Sequence, residues 1–193
     1  MIKTKLIHFI TTLIYFYINC NIRGFASQSF AKKIIINRLQ NYDYSESGTY
    51  FVTICTGNRK QILSKIVGEG LCALPSVNLT DIGKIVRESI EYINDNYDNV
   101  SIDKYVIMPN HIHMIIRIQS GGHGDPPLQV YDIVGRFKSF TDNKYKAGGH
   151  GDPPLLWQRS FYDHVIRGEN DYLKIWNYID TNPAKWQEDK YYK

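Results

Sequence analysis

Two histidines one residue apart, His111 and His113, are the first residues in the chain whose types suggest chemistry. On an extended strand, residues two apart project from one face, so both imidazoles can converge on a cation while Ile112 points the other way. Imidazole nitrogens suit Mn2+, Zn2+ and related ions, and Mg2+ when phosphate and water complete its shell. The bland alternative, two histidines on a solvent-facing strand, stays open at this point. A second pair, Tyr178 and Asn182, lies four residues apart in a stretch of helical periodicity and therefore on one flank of a helix. A phenol becomes a nucleophile on losing its proton, which a free tyrosine does at a pKa of about 10. Against that stands a rim tyrosine, one of fifteen in the chain, that merely hydrogen-bonds water.

The elements that must carry these residues can be read around them. Thr49 to Thr56 is β-branched and aromatic between Ser47-Gly48 and Gly57-Asn58, which predicts a strand. Gly68 to Ser76 predicts a loop. Leu79, Ile82, Ile85, Val86, Ile90, Ile93 and Tyr97 recur at helical spacing, with Asn78 or Thr80 as N-cap. Lys104 to Met108 and His111 to Ile118 flank a Pro109-Asn110 corner and predict a hairpin. Val130, Ile133, Val134 and Phe137 mark a second helix, and Phe161 to Arg167 a further strand. Glu169 to about Thr181 predicts a third helix, with Tyr172, Ile175, Trp176 and Ile179 as its apolar stripe and Pro183 as its stop. The order β-α-β-β-α-β plus a last helix predicts an α+β fold. It is that of a ferredoxin-like split βαβ sandwich, an antiparallel sheet with helices on one face and an additional C-terminal helix carrying Tyr178.

Composition narrows the class of partner. A chain of 193 residues suits one domain, and 43% hydrophobic with 22% charged residues is a globular balance. The net charge of +4 leans toward acidic partners such as nucleic acid, and is well short of a strongly basic binding protein. The tyrosines offer faces for stacking unpaired bases, although most tyrosines are packing residues. Three cysteines, Cys20, Cys55 and Cys72, without a CxxC pair, argue against a disulfide framework and exclude a zinc finger. A reducing, cytoplasmic setting fits them.

Residues 1–36 differ from the rest and read as an N-terminal extension, with the functional domain spanning 37–193. Two lysines, a short apolar run from Leu6 to Cys20, then Arg23 and the small residues Gly24 to Ser27 give the outline of a signal peptide. The run is shorter than the ~20 apolar residues that span a bilayer, so no stable membrane association is expected. It reads best as sequence translated from an early start codon, against an export signal or an amphipathic anchor. The octapeptide GGHGDPPL occurs twice, at Gly121 to Leu128 and Gly148 to Leu155. Gly-Gly and Pro-Pro forbid regular structure there, so both copies read as exposed insertions, and their histidines and aspartates are left out of the site.

Three segments together are more specific than the histidine pair: Tyr105 to Ile116 (YVIMPNHIHMII), Leu156 to Arg167 (LWQRSFYDHVIR) and Asn177 to Trp186 (NYIDTNPAKW). In this order they resemble the REP-associated tyrosine transposases, a branch of the single-tyrosine HUH transposases, over about Asn37 to Trp186. The resemblance implies that His111 and His113 are the paired metal ligands. It places the nucleophile of the family's Tyr-Ile-x-x-Asn-Pro motif on Tyr178 and the third, polar ligand on Asn182. It further implies Mg2+ or Mn2+ as cofactor, single-stranded or hairpin DNA as partner, no nucleotide cofactor, and action as a monomer or as a homodimer sharing tyrosines. The expected chemistry is cleavage and rejoining through a 5′-phosphotyrosine. Basic residues to examine first for DNA contact are Arg136, Lys138, Lys144, Arg159 and Arg167, with His164 approaching from its strand; ordinary surface charge is their plain alternative. Two rivals remain. A non-catalytic single-stranded nucleic-acid-binding module leaves His111, His113, Tyr178 and Asn182 unexplained as a set. A zinc hydrolase lacks a third strong ligand and a general base.

Overall fold

A computed structural model describes residues 47–68, 75–119, 128–148 and 156–188. The N-terminal extension, Cys20, Cys72 and nearly all of both octapeptides lie outside the described residues. Strand β1 (Gly48–Cys55) is followed by a short 3-10 turn, Gly57–Arg59, and by a two-stranded hairpin, β2 (Ser64–Val67) and β3 (Ser76–Leu79). Helix α1 (Asp81–Asn96) leads into β4 (Val100–Ile107) and β5 (His111–Ile118); α2 (Val130–Ala147), β6 (Tyr162–Val165) and α3 (Glu169–Thr181) complete the order, with a 3-10 segment at Pro183–Glu188.

The main sheet has the order β4-β5-β1-β6, every pair antiparallel. With β2 and β3 set aside, this is the strand arrangement of the split βαβ sandwich, as expected. Alternation along the strands divides the residues between two faces. Tyr50, Val52, Ile54, Ile112, Met114, Ile116 and Ile118 face α1 and α2, joining Val86, Ile90 and Ile93 of one helix and Val130, Ile133, Val134 and Phe137 of the other in the main core. Phe51, Thr53, His111 and His113 face the other way. That second face is where α3 lies, through Ile175, Ile179 and the rings around Tyr178. The two crossover helices thus share one face, as predicted, and the additional helix covers the opposite one.

Local signals account for the boundaries. Thr80 caps α1, its hydroxyl accepting from Gly83 N at 3.1 Å while donating to the carbonyls of Ile62 and Leu63. The Gln129 backbone N–H donates to the Asp132 carboxylate at 3.1 Å at the start of α2. Gly168, at φ 81°, makes the turn into α3 that a side chain resists, and Pro183 follows its last turn. Two features were not read from the sequence. Segments 64–67 and 76–79 pair across the Gly/Pro-rich stretch, and their four-residue strands are too short for alternation to stand out. β4 begins at Val100, four residues before the predicted Lys104, because the register slips between Ile102 and Lys104 and breaks its apolar alternation.

Candidate active site

His111 and His113 are on β5 immediately after the Pro109-Asn110 corner, where Met108 N bonds His111 O at 2.9 Å. Both are almost fully withdrawn from solvent, at 1% and 5% exposure, so the solvent-facing alternative is excluded. Their rings are 4.6 Å apart between centroids. Burial, aided by the positive charge of Arg59, lowers the pKa of His111 to about 3. Burial and the neighbouring His111 hold His113 well below its ordinary value. Both imidazoles are therefore neutral near neutral pH, each with one nitrogen lone pair available.

Two neighbours orient those lone pairs. Asn110 Oδ1 lies 2.8 Å from His111 Nδ1; an amide oxygen only accepts, so Nδ1 carries the proton and Nε2 the lone pair. Thr53, directly across from His113 in the β1–β5 ladder, places its Oγ1 2.8 Å from His113 Nδ1. On the other edge of that ring, Tyr178 Oη stands 3.3 Å from His113 Nε2. Phe51 supports both groups: it stacks on His113 at 5.3 Å and meets Tyr178 edge-on at 5.9 Å. Helix α3 thus brings the predicted tyrosine to the predicted imidazoles within a single chain. Asn182, at the end of α3, is 6% exposed, and its Oδ1 is buried without a hydrogen-bond partner. An orphaned amide oxygen costs about 1–3 kcal/mol when nothing satisfies it. Two neutral imidazoles suit a divalent ion of the Mg2+ or Mn2+ class whose shell phosphate oxygens and water complete, and an amide oxygen such as that of Asn182 is chemically a fitting further donor. Among the described residues no three His, Cys, Asp or Glu side chains cluster for metal binding.

The predicted basic residues are dispersed. Arg136 bonds Tyr97 Oη at 3.0 Å and Lys144 pairs with Glu88 at 2.9 Å, both on α2, across the sheet from the imidazoles. Lys138, lowered to about 8 by burial, binds the carbonyls of Gln158, Arg159 and Ser160 and so fastens the loop before β6. Arg159 is exposed in that loop and Arg167 is exposed after β6, its backbone N–H donating to Asp171. His164 pairs across the ladder with Phe51, which puts it on the imidazole face, but its Nε2 is held by Asp171 of α3 at 3.0 Å. Trp157 and Tyr162 are buried packing residues. Thr53, Asn110 and Phe51 were missed in the sequence. Asn110 had a signal in its place beside His111, whereas Thr53 and Phe51 depend on a strand register that spacing does not supply.

The family described as Transposase IS200 like matches residues 44–182. The chain belongs to that family. An uncharacterized protein of Haemophilus influenzae is 35% identical over 171 residues, covering 80% of this chain and 91% of its own length. A REP-associated tyrosine transposase of Escherichia coli is 25% identical over 142 residues, covering 74% and 70%. Among solved structures, a REP-associated tyrosine transposase bound to a REP hairpin superposes with a TM-score of 0.54 at 23% identity, covering 79% of this chain and 76% of that one. That likeness supports the fold, and the sequence relatives support the resemblance to the REP-associated branch. Among the described residues no helix is long and apolar enough to cross a membrane.

Proposed function

We propose that this transposase-family protein cleaves and rejoins single-stranded or hairpin DNA, with Tyr178 as nucleophile and His111, His113 and Asn182 as ligands of Mg2+ or Mn2+. The observation that carries the reading is the 3.3 Å approach of Tyr178 Oη to His113 Nε2, on the one face where both imidazoles are buried and neutral. The Escherichia coli relative is named for REP elements and the superposed structure holds a REP hairpin, which favours a hairpin substrate here.

The ion, when bound, supplies positive charge to a non-bridging phosphate oxygen and so stabilises the charge that builds up at phosphorus. The chain's own residues do the rest. Asn110 and Thr53 fix the imidazole rings, and Phe51 keeps the phenol ring of Tyr178 over the same spot. Tyr178 Oη forms a bond to phosphorus as the bond to the 3′ oxygen breaks; the phenolic proton leaves to water and the departing oxygen takes one up as a 3′-hydroxyl. The product is a 5′-phosphotyrosine, and attack by another 3′-hydroxyl reverses the step onto a new strand without a nucleotide cofactor. One tyrosine cuts one strand at a time. The approach of the phenol to the imidazoles within one chain supports a reaction in which a second copy need not supply the tyrosine. Residues 37–193 would form the functional unit, with 1–36 as an extension to it, working in the cytoplasm.

Labelled DNA hairpins with single-stranded flanks, incubated with the protein and Mn2+ and then denatured, should leave a covalent adduct. It should vanish in Tyr178→Phe and on adding a chelator. An adduct that persists in Tyr178→Phe refutes the assignment of the nucleophile. Tight hairpin binding with no adduct from any hairpin favours the non-catalytic binding module.

A further inference from the structure

The turn after β1 carries an arginine that the mechanism above does not use. Asn58 and Arg59 both adopt left-handed backbone, at φ 53° and 55°, two successive non-glycine residues in a region that side chains disfavour. Strain of this kind persists only where the surroundings enforce it, and it concentrates at functional sites. Here the enforcement is visible. Arg59 N bonds Thr56 O at 3.0 Å, and Thr56 Oγ1 donates to Lys60 O at 2.9 Å, closing the turn on itself. Thr56 also bonds Asn110 O through its backbone N–H at 2.9 Å and its hydroxyl at 3.0 Å, while Leu63 N bonds Pro109 O at 3.0 Å. The arginine turn is thereby fastened to the Pro109-Asn110 corner whose side chain orients His111. The half-buried Arg59 is close enough for its charge to act on His111, as a lesser contribution than burial.

We propose that Arg59 binds the scissile phosphate, its guanidinium facing the phosphate oxygens from the β1 end of the site while His111, His113 and Tyr178 approach from the sheet and α3. A guanidinium beside a metal-binding pair repels the ion while the site is empty of DNA. It attracts once an anion stands between the two charges, so its position favours a phosphate-loaded site over a metal-loaded one. A fixed fork of donors also matches phosphate geometry, which a lysine in the same turn would not reproduce.

The proposal rests on the reading of Tyr178 and the metal ligands, and the test separates the two. The cleaved linkage is first located with wild-type protein and Mn2+ on the hairpin panel. Binding is then measured in the Tyr178→Phe background, where nothing is cut, to that hairpin and to the same hairpin with a neutral methylphosphonate at the cleaved linkage. With Arg59 present the neutral linkage should weaken binding about tenfold or more; with Arg59→Gln it should weaken it much less. Arg59→Lys should recover only part of the difference. Without DNA, Arg59→Gln should bind Mn2+ more tightly than wild type, which checks that the charge stands beside the ion site. Equal methylphosphonate losses with and without Arg59, while Tyr178→Phe abolishes the adduct, overturn the proposal and leave the reading standing. Failure of wild type to cut, or an adduct that survives Tyr178→Phe, defeats the reading and the proposal with it.

Discussion

Neutral imidazoles buried in the folded chain make its stability depend on pH in a defined direction. Unfolded, His111 regains an ordinary pKa of about 6.5, whereas in the fold it stays unprotonated down to about 3. Between those values the unfolded state binds a proton that the folded state does not, so stability rises with pH. The stabilisation is complete above about pH 6.5 and is lost steadily as the pH falls toward 3. At about 1.4 kcal/mol per pH unit, acidifying from pH 7 to pH 5 removes about 2 kcal/mol through His111 alone. His113, shifted in the same direction by the same burial, adds to that loss. Lys138 does not confuse the window: its pKa of about 8 leaves it charged in both states throughout.

The measurement is urea unfolding followed by tryptophan fluorescence, in the presence of a chelator, at pH 7 and pH 5. With a slope of about 2 kcal/mol/M, the wild-type midpoint should fall by about 1 M or more. His111→Gln removes one titrating group while leaving every other carboxylate and histidine in place, so its midpoint should fall by about 1 M less than that of wild type. If the variant and wild type lose equal stability over this range, His111 is not held neutral by burial, and the case for a ready pair of lone pairs loses its footing.

Three further outcomes follow from the same geometry. Thr53→Val removes the hydroxyl 2.8 Å from His113 Nδ1 and should weaken Mn2+ binding by about 10–100-fold, read by calorimetry on protein whose circular dichroism is unchanged. Asn182→Ala deletes a buried oxygen that has no partner, so the chelated protein should keep or gain stability in urea while its Mn2+ affinity drops; a metal-free loss of several kcal/mol speaks against the ligand role. Gly83→Ala would place a Cβ 2.0 Å from the Leu63 carbonyl oxygen, and the backbone shift it forces should cost about 1–3 kcal/mol or more, seen as a lowered melting temperature.

Much of this architecture was legible because its signals are periodic. The α3 stripe was read correctly because Ile175 and Ile179 repeat at the spacing of a helix facing a sheet, and Glu169 to Thr181 emerged with the expected ends. His111 and His113 were read as one face because strand geometry guarantees it. What spacing withheld was register. Thr53 meets His113, and Phe51 supports Tyr178, only because β1 lies antiparallel to β5 with those pairings, which depend on packing over the whole sheet. The basic residues show a different limit of sequence reading. A lysine's formal charge says nothing about whether carbonyls already claim it, as those of residues 158–160 claim Lys138. Arg59 is not legible in the sequence, because its turn carries no periodic pattern at all.

The two faces of the sheet are held by different kinds of force, and that difference bears on the proposed strand transfer. On one face, α1 and α2 bury Val86, Ile90, Ile93, Val130, Ile133, Val134 and Phe137, each contributing about 1.5–3 kcal/mol, so β1 and β5 and the imidazoles they carry are rigidly set. On the other, α3 fully buries only Ile175 and Ile179, sets the Tyr178 ring against Phe51 and His113, and is otherwise tied down by polar contacts near its surface. Tyr172 donates to Asp103, Lys104 pairs with Asp180 and lies over Trp176, and His164 bonds Asp171. Partly exposed ion pairs contribute about 0–1 kcal/mol each. Shifting α3 is therefore less costly than distorting the histidine pair. In the proposed reaction, a tyrosine that attacks a phosphate and then yields it to an incoming 3′-hydroxyl would use freedom of this sort, while the imidazoles would need to stay fixed. The imidazoles ride on strands that the core fixes from behind, and the tyrosine rides on the more loosely held helix that meets them.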